Sequence, residues 1–184
     1  MKTPIPAKAW HTEHVYFRRL LNRLQKEVDV FATGERPNYQ LMLDIITYLR
    51  EFTDRIHHRR EDVAFERLVQ RCPEMQLPIA RLQQEHRVIA HAGETLLQLL
   101  TAIVDGSMLP RADVEAAAAT YLVYYGNHIA KEEEDVLTRA AAELKREDWD
   151  AVGNAVPHVE DPLFGETPQA RFRELRRQIA IESV

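Results

Sequence analysis

The sequence has little of what several functional classes require. One cysteine in 184 residues excludes an intramolecular disulfide framework and any zinc or iron–sulfur site built from several thiolates. Six glycines leave few loops of the phosphate-cradling kind, and neither a G-x-G-x-x-G nor a Walker pattern occurs. The net charge is −5, with Lys and Arg interspersed among Asp and Glu, so no basic footprint for nucleic acid is present. No window stays apolar for the roughly 18 residues that a membrane span needs. The opening MKTPIPAKAWHTEH also lacks the apolar core of a signal peptide. These absences lead to the expectation of a soluble, cytoplasmic protein with neither a nucleic-acid nor a membrane partner. What is present is a chain 45% hydrophobic, long enough for one compact domain with an appendage, and eight histidines.

Turn signals are few and evenly placed: Gly34 to Pro37, Cys72-Pro73 through Pro78, and Gly106 through Pro110. Between them run long stretches rich in Leu, Ala, Glu, Arg and Gln, which favour helix. Apolar residues recur there at steps of three and four. The first inward face reads Trp10, His14, Phe17, Leu21, Leu24, Val28, Phe31. The second reads Met42, Ile46, Leu49, Thr53, His57, Glu61, Ala64, Leu68. The third is Ile79, Leu82, His86, Ala90, Gly93, Leu97, Leu100, Val104, and the fourth Val114, Ala117, Tyr121, Tyr124, His128, Glu132, Val136. Short connections between long helices favour antiparallel neighbours. The expected fold is therefore all-α: an antiparallel up-down-up-down four-helix bundle over residues 1–145. The remainder, 146–184, reads as a C-terminal helical extension packing on the bundle. It holds a short helix, a Pro-rich crossing, and a last amphipathic helix with Phe172, Leu175 and Ile179 on one side.

Each predicted helix carries one histidine in the middle of an otherwise apolar stripe. In antiparallel neighbours, two residues share a level when they lie equally far from the turn between them. The midpoint of His14 and His57 falls within Gly34 to Pro37. That of His57 and His86 falls at Arg71-Cys72-Pro73, and that of His86 and His128 at Gly106-Ser107. Four imidazoles thus converge on one layer. Glu61 and Glu132 join it, each one helical turn beyond a histidine. The chain also repeats itself: Glu13-His14 then His57-x3-Glu61 matches Glu85-His86 then His128-x3-Glu132. Such groups are expensive to bury unpaired, whereas a cation offsets the cost. Imidazole and carboxylate without thiolate suit iron, or manganese, better than a structural zinc.

These motifs (the two Glu-His pairs, HHRRED and NHIAKEEED) resemble the hemerythrin-like, His-His-Glu cation-binding family, over residues 10 to 140 or so. The resemblance implies a four-helix bundle holding a non-haem di-iron centre, oxo- or hydroxo-bridged. His14, His57, His86 and His128 would be terminal ligands, and Glu61 and Glu132 bridging carboxylates. Oxygen-carrying members have a fifth histidine four residues after the one matching His86; here Ala90 stands there. The count then leaves each metal roughly two positions for exogenous ligands. A centre that binds, senses or reacts with dioxygen, peroxide or nitric oxide is the leading expectation. Enzymatic peroxide breakdown or iron-centre repair is the alternative, and iron storage or a metal-free interaction bundle ranks lower.

The other candidates receive bland readings. His58 follows Arg55, Asp54 and Glu51 on a polar face, so it is expected outside the ligand set, with a hydrogen bond to Asp62 as its alternative role. His91 has polar neighbours and should point away, and His11 and His158 read as surface residues. Glu133 and Glu134 are alternatives to Glu132, and Asp62 to Glu61. Of Tyr121, Tyr124 and Tyr125, the hydroxyl of Tyr124 is the one expected nearest the metal pocket. Cys72 reads as unremarkable, with a link between two chains of a homodimer as the alternative.

Overall fold

The computed structural model describes residues 6–181, and among these no strand is present. Four helical rods carry the architecture. The first is α1 (Pro6–Ala32). The second runs without interruption through α2 (Tyr39–Tyr48), a π-helical segment (Leu49–His57) and α3 (His58–Arg71). A 3₁₀ turn, Pro73–Met75, leads into the third rod, α4 (Gln76–Val104). The fourth comprises α5 (Arg111–Lys131), a second π-helical segment (Glu132–Leu137) and α6 (Thr138–Glu143). Beyond it lie α7 (Arg146–Ala155), a 3₁₀ turn (Ala170–Phe172) and α8 (Arg173–Ile181). No helix among the described residues is long and apolar enough to cross a membrane.

Local chemistry sets the rod ends. The Asn38 side chain caps α2 by accepting from the Leu41 amide at 3.0 Å. The Asn38 amide in turn donates to Glu27 of α1 at 2.6 Å, closing the first turn against the rod it leaves. Gly106, at φ +90°, follows the end of α4 in the left-handed conformation that glycine tolerates best. Pairs between rods run in opposite senses. Arg60 and Glu13, then Asn38 and Glu27, link the first two rods. His86 and Asp62, then Glu94 and Arg50, link the second and third. Glu85 meets Lys131, and the rod ends meet where Arg111 donates to the Ala32 carbonyl.

The interior is two apolar clusters separated by a polar layer. One cluster, with Phe17, Leu20, Leu49, Phe52, Ile89 and Tyr125, occupies the end of the bundle near the Gly34 and Gly106 turns. The other, with Trp10, Ala64, Phe65, Leu68, Leu82 and Val136, lies toward Cys72. His14, His57, Glu61, His86, His128 and Glu132 are all buried between them.

The expected faces need correction. Val104 and Tyr124 are exposed, and Phe31, Ala90, Leu97 and Ala117 are only half-buried; Ile89 and Leu96 take the inward places on α4, and Ala118 and Tyr125 those on α5. A fixed alternation of fours and threes drifts against the real helix period.

The residues beyond 145 pack on the rods. Arg71 of α3 donates to Asp148 and Glu147 of α7, and Trp149 meets Trp10 edge-on. Phe172, Leu175 and Ile179 enter the first apolar cluster. Residues 1–5 and 182–184 lie outside the described residues.

Candidate metal centre

Two groups of four buried donors meet in the polar layer and share Glu61. His14, His57, Glu61 and Glu132 form one, and His58, Glu61, His86 and His128 the other; within each, the donor atoms lie within 4.8 Å of one another. In the first group the Nε2 atoms of His14 and His57 face each other at 2.9 Å. Glu61 Oε1 lies 2.6 Å from His57 Nε2 and 3.3 Å from His14 Nε2. On the other side the Nε2 atoms of His86 and His128 stand 3.1 Å apart, and Glu61 Oε2 is 3.6 Å from His86 Nε2. Glu132 Oε2 lies between the groups, 3.4 Å from His14 Nε2 and 3.5 Å from His128 Nε2.

The outer nitrogen of each of these four rings is held by a carboxylate. His14 Nδ1 pairs with Glu133 at 2.7 Å, His57 Nδ1 with Glu13 at 2.5 Å, His86 Nδ1 with Asp62 at 3.0 Å and His128 Nδ1 with Glu85 at 3.3 Å. A carboxylate there accepts a hydrogen bond from Nδ1–H, which fixes the tautomer whose Nε2 lone pair faces the centre. Three of the carboxylates are steadied from outside. Arg60 donates to Glu13 and Lys131 to Glu85, while His11 pairs with Glu133. This explains the Glu-His halves of the internal repeat. Glu13 sits beside His14 in sequence yet orients His57 on the next rod, and Glu85, beside His86, orients His128.

The electrostatics are those of a site short of positive charge. Burial favours neutral His14, but its hydrogen bonds to Glu133 and Glu61, with the charge of Glu132, outweigh it and push the imidazole up to about 10. Burial would raise Glu61, yet His57 and His14 hold it well below the usual carboxylate range. Burial and the neighbouring Glu61 charge drive Glu132 well above that range. Glu61 Oε2 and both oxygens of Glu132 are buried without a hydrogen-bond donor. Imidazole nitrogens turned toward one another and orphaned carboxylate oxygens around one point suit a cation, which displaces the shared protons and accepts from all of them. The residues present fit a metal ion in each group.

His58 requires a correction. An ordinary helix puts it on the face of Arg55, Asp54 and Glu51, but it is buried and its ring stacks on His86 at 4.1 Å. The π-helical winding of Leu49–His57 takes more residues per turn, and the helix resumes at His58 with two consecutive imidazoles facing the layer. Burial and the nearby His86 hold His58 well below its ordinary range, so its lone pair is free. The hydrogen bond from His58 to Asp62 is not formed; Asp62 holds His86 instead.

The remaining candidates separate cleanly. Glu133 orients His14, while Glu134 is exposed. His91 and His158 are exposed, and His11 is a surface residue that reaches the site only through Glu133. Tyr124 is 45% exposed and points out, whereas Tyr121 and Tyr125 are fully buried. Cys72 is buried, so its thiol is not presented to a second chain.

No curated protein and no solved structure gives a significant match to this chain. The family described as the hemerythrin HHE cation-binding domain matches residues 5–140, a span that includes all four rods up to α6 and every residue of both donor groups. On that match, with the buried His and Glu groups compatible with metal binding, the chain belongs to the hemerythrin HHE cation-binding family.

Proposed function

We propose that the chain is a non-haem di-iron protein whose centre takes up a small oxidant or diatomic gas: peroxide, dioxygen or nitric oxide. His14, His57, Glu61 and Glu132 hold one metal, and His58, His86, His128 and Glu61 the other. The observation that carries this reading is the placement of Glu61, whose two oxygens turn toward different pairs of imidazoles. Nitrogen and carboxylate donors without thiolate favour iron, with manganese the alternative. When bound, an iron pair supplies electrons and an open coordination position. The protein's own part is to orient five imidazoles, hold two carboxylates in a dry layer, and keep the Nδ1 protons away from the centre. Four protein donors in each group, against the roughly six that octahedral iron accepts, leave room for an exogenous ligand.

Protein purified from iron-supplemented cells should contain two irons per chain and show oxo-bridge charge-transfer absorption that shifts on adding azide. An absence of iron, with no uptake by the apoprotein, rules this reading out. An enzymatic role is the second reading, favoured by the unequal nitrogen count of the two groups. It requires steady turnover of peroxide or nitric oxide by the iron form, lost in His57→Ala.

A further inference from the structure

A second set of buried polar groups adjoins the His58 side of the layer, and neither the fold nor the metal ligands account for it. Thr53, Tyr121 and Tyr125 are fully buried; the Tyr121 hydroxyl has no hydrogen-bond partner, and those of Thr53 and Tyr125 have no well-formed bond and lie only against each other. Asp54 Oδ1 is likewise unpartnered, lying 3.5 Å from His58 Nδ1, too far for a good bond. The groups are contiguous. The Tyr125 ring is 5.9 Å from that of His58 and 5.5 Å from that of Tyr121, and Thr53 lies against the Tyr125 hydroxyl. Tyr121 fits only because position 93 is glycine: a Cβ there would stand 2.9 Å from its ring. Arg50, also beside Gly93, leads outward to an ion pair with Glu94.

Phe at 121 and 125 and Val at 53 would fill the same space without orphaned hydroxyls, whose burial is unfavourable. The contrast is Tyr48, buried in the same apolar cluster, whose hydroxyl donates to Asp161 at 2.8 Å. Spare donors and acceptors beside one half of a metal centre suit a transient guest that hydrogen-bonds in both senses.

We propose that Thr53, Asp54, Tyr121 and Tyr125 form a hydrogen-bonding approach to the His58 half of the centre, one that selects hydrogen peroxide over dioxygen and nitric oxide. Peroxide both donates and accepts hydrogen bonds, whereas the two gases donate none. The inference rests on the di-iron reading above.

The test compares wild type with Tyr125→Phe and Thr53→Val as full-length, iron-loaded protein, mixing the reduced form separately with hydrogen peroxide and with nitric oxide in a stopped-flow instrument. The peroxide rate should fall about tenfold in the variants while the nitric oxide rate stays within about twofold, since one hydrogen bond is worth about that factor. Equal losses for both reagents, or none for either, overturn the proposal. Iron content should be unchanged; its loss would make these hydroxyls structural or ligating and overturn the proposal too. In the metal-free protein neither variant should lower the melting temperature by more than a few degrees, because at most the weak Thr53–Tyr125 contact is removed, and a larger drop counts against it. Wild-type protein that takes up iron yet reacts with neither reagent sinks this inference and the reactivity assigned to the centre together. Wild-type protein that reacts, with variants that do not discriminate, sinks this inference alone.

Discussion

Glu13 and Glu85 show how much of a metal site lies outside its ligands. Each neighbours one inward histidine in sequence and orients another across the helix interface, so the two halves of the repeat are laced together rather than merely adjacent. A carboxylate that fixes Nδ1–H sets both the tautomer and the aim of the ring, and its loss typically weakens metal binding about 10- to 100-fold. Glu13→Ala should therefore lower metal affinity by about that factor, read by competition with a chromophoric chelator, while Glu134→Ala leaves it unchanged. His58→Ala should weaken uptake at one position and alter the ligand-field spectrum of the cobalt-substituted protein; His91→Ala should do neither. Identical spectra for His58→Ala and wild type would remove His58 from the ligand set. The inward positions of His14, His57, His86 and His128 are legible in the sequence, because each interrupts an apolar stripe. The duties of Glu13 and Glu85 were visible only as a repeat, since no local pattern says which imidazole across an interface a carboxylate will reach.

At the scale of elements, both π-helical segments lie at the polar layer. One ends at His57, the first residue of one His-x3-Glu pair, and the other begins at Glu132, the last residue of the second pair. A π turn has poorer hydrogen bonding than an α turn and survives where surrounding structure requires it, frequently at functional sites. In the second rod its product is the adjacent pair His57-His58, which no ordinary α turn would aim so nearly alike. Deleting Arg55, an exposed residue within the segment, allows the rod to relax toward α-helical winding and turns the preceding residues against those that follow. The far-ultraviolet circular dichroism should keep its helical signature while metal affinity falls at least about tenfold, as expected when a ligand is misdirected. Unchanged metal binding would mean that the winding does not direct the imidazoles. LREFTDRIH carries no residue signature of its π winding. Its polar and apolar residues fit an α-helix equally well, and for that reason the sequence points His58 the wrong way.

Across the whole molecule, the rods bury a polar layer between two apolar clusters, and the segment after residue 145 adds to both, Val152 to one and Phe172 to the other. Phe172 is buried against Tyr48, with ring centroids 5.7 Å apart, and Leu175 and Ile179 complete the seal. Phe172→Ala should destabilise the protein by about 3–5 kcal/mol in urea unfolding, the range for emptying a buried aromatic site. It should leave the iron content of folded protein unaltered, because Phe172 touches no ligand; coupled loss of iron would show that this end of the bundle supports the site directly. The sequence by itself determined the all-α class, the three turns, and the six inward His and Glu residues. Periodicity and turn chemistry act over a few residues, and equal distance from a turn translates them into equal height. Only the tertiary structure decided that His58 joins the layer, that Tyr125 rather than Tyr124 faces inward, and which carboxylate holds which ring. Those outcomes depend on how one rod winds against three others, and packing energy that overrides local geometry leaves no mark in the residues concerned.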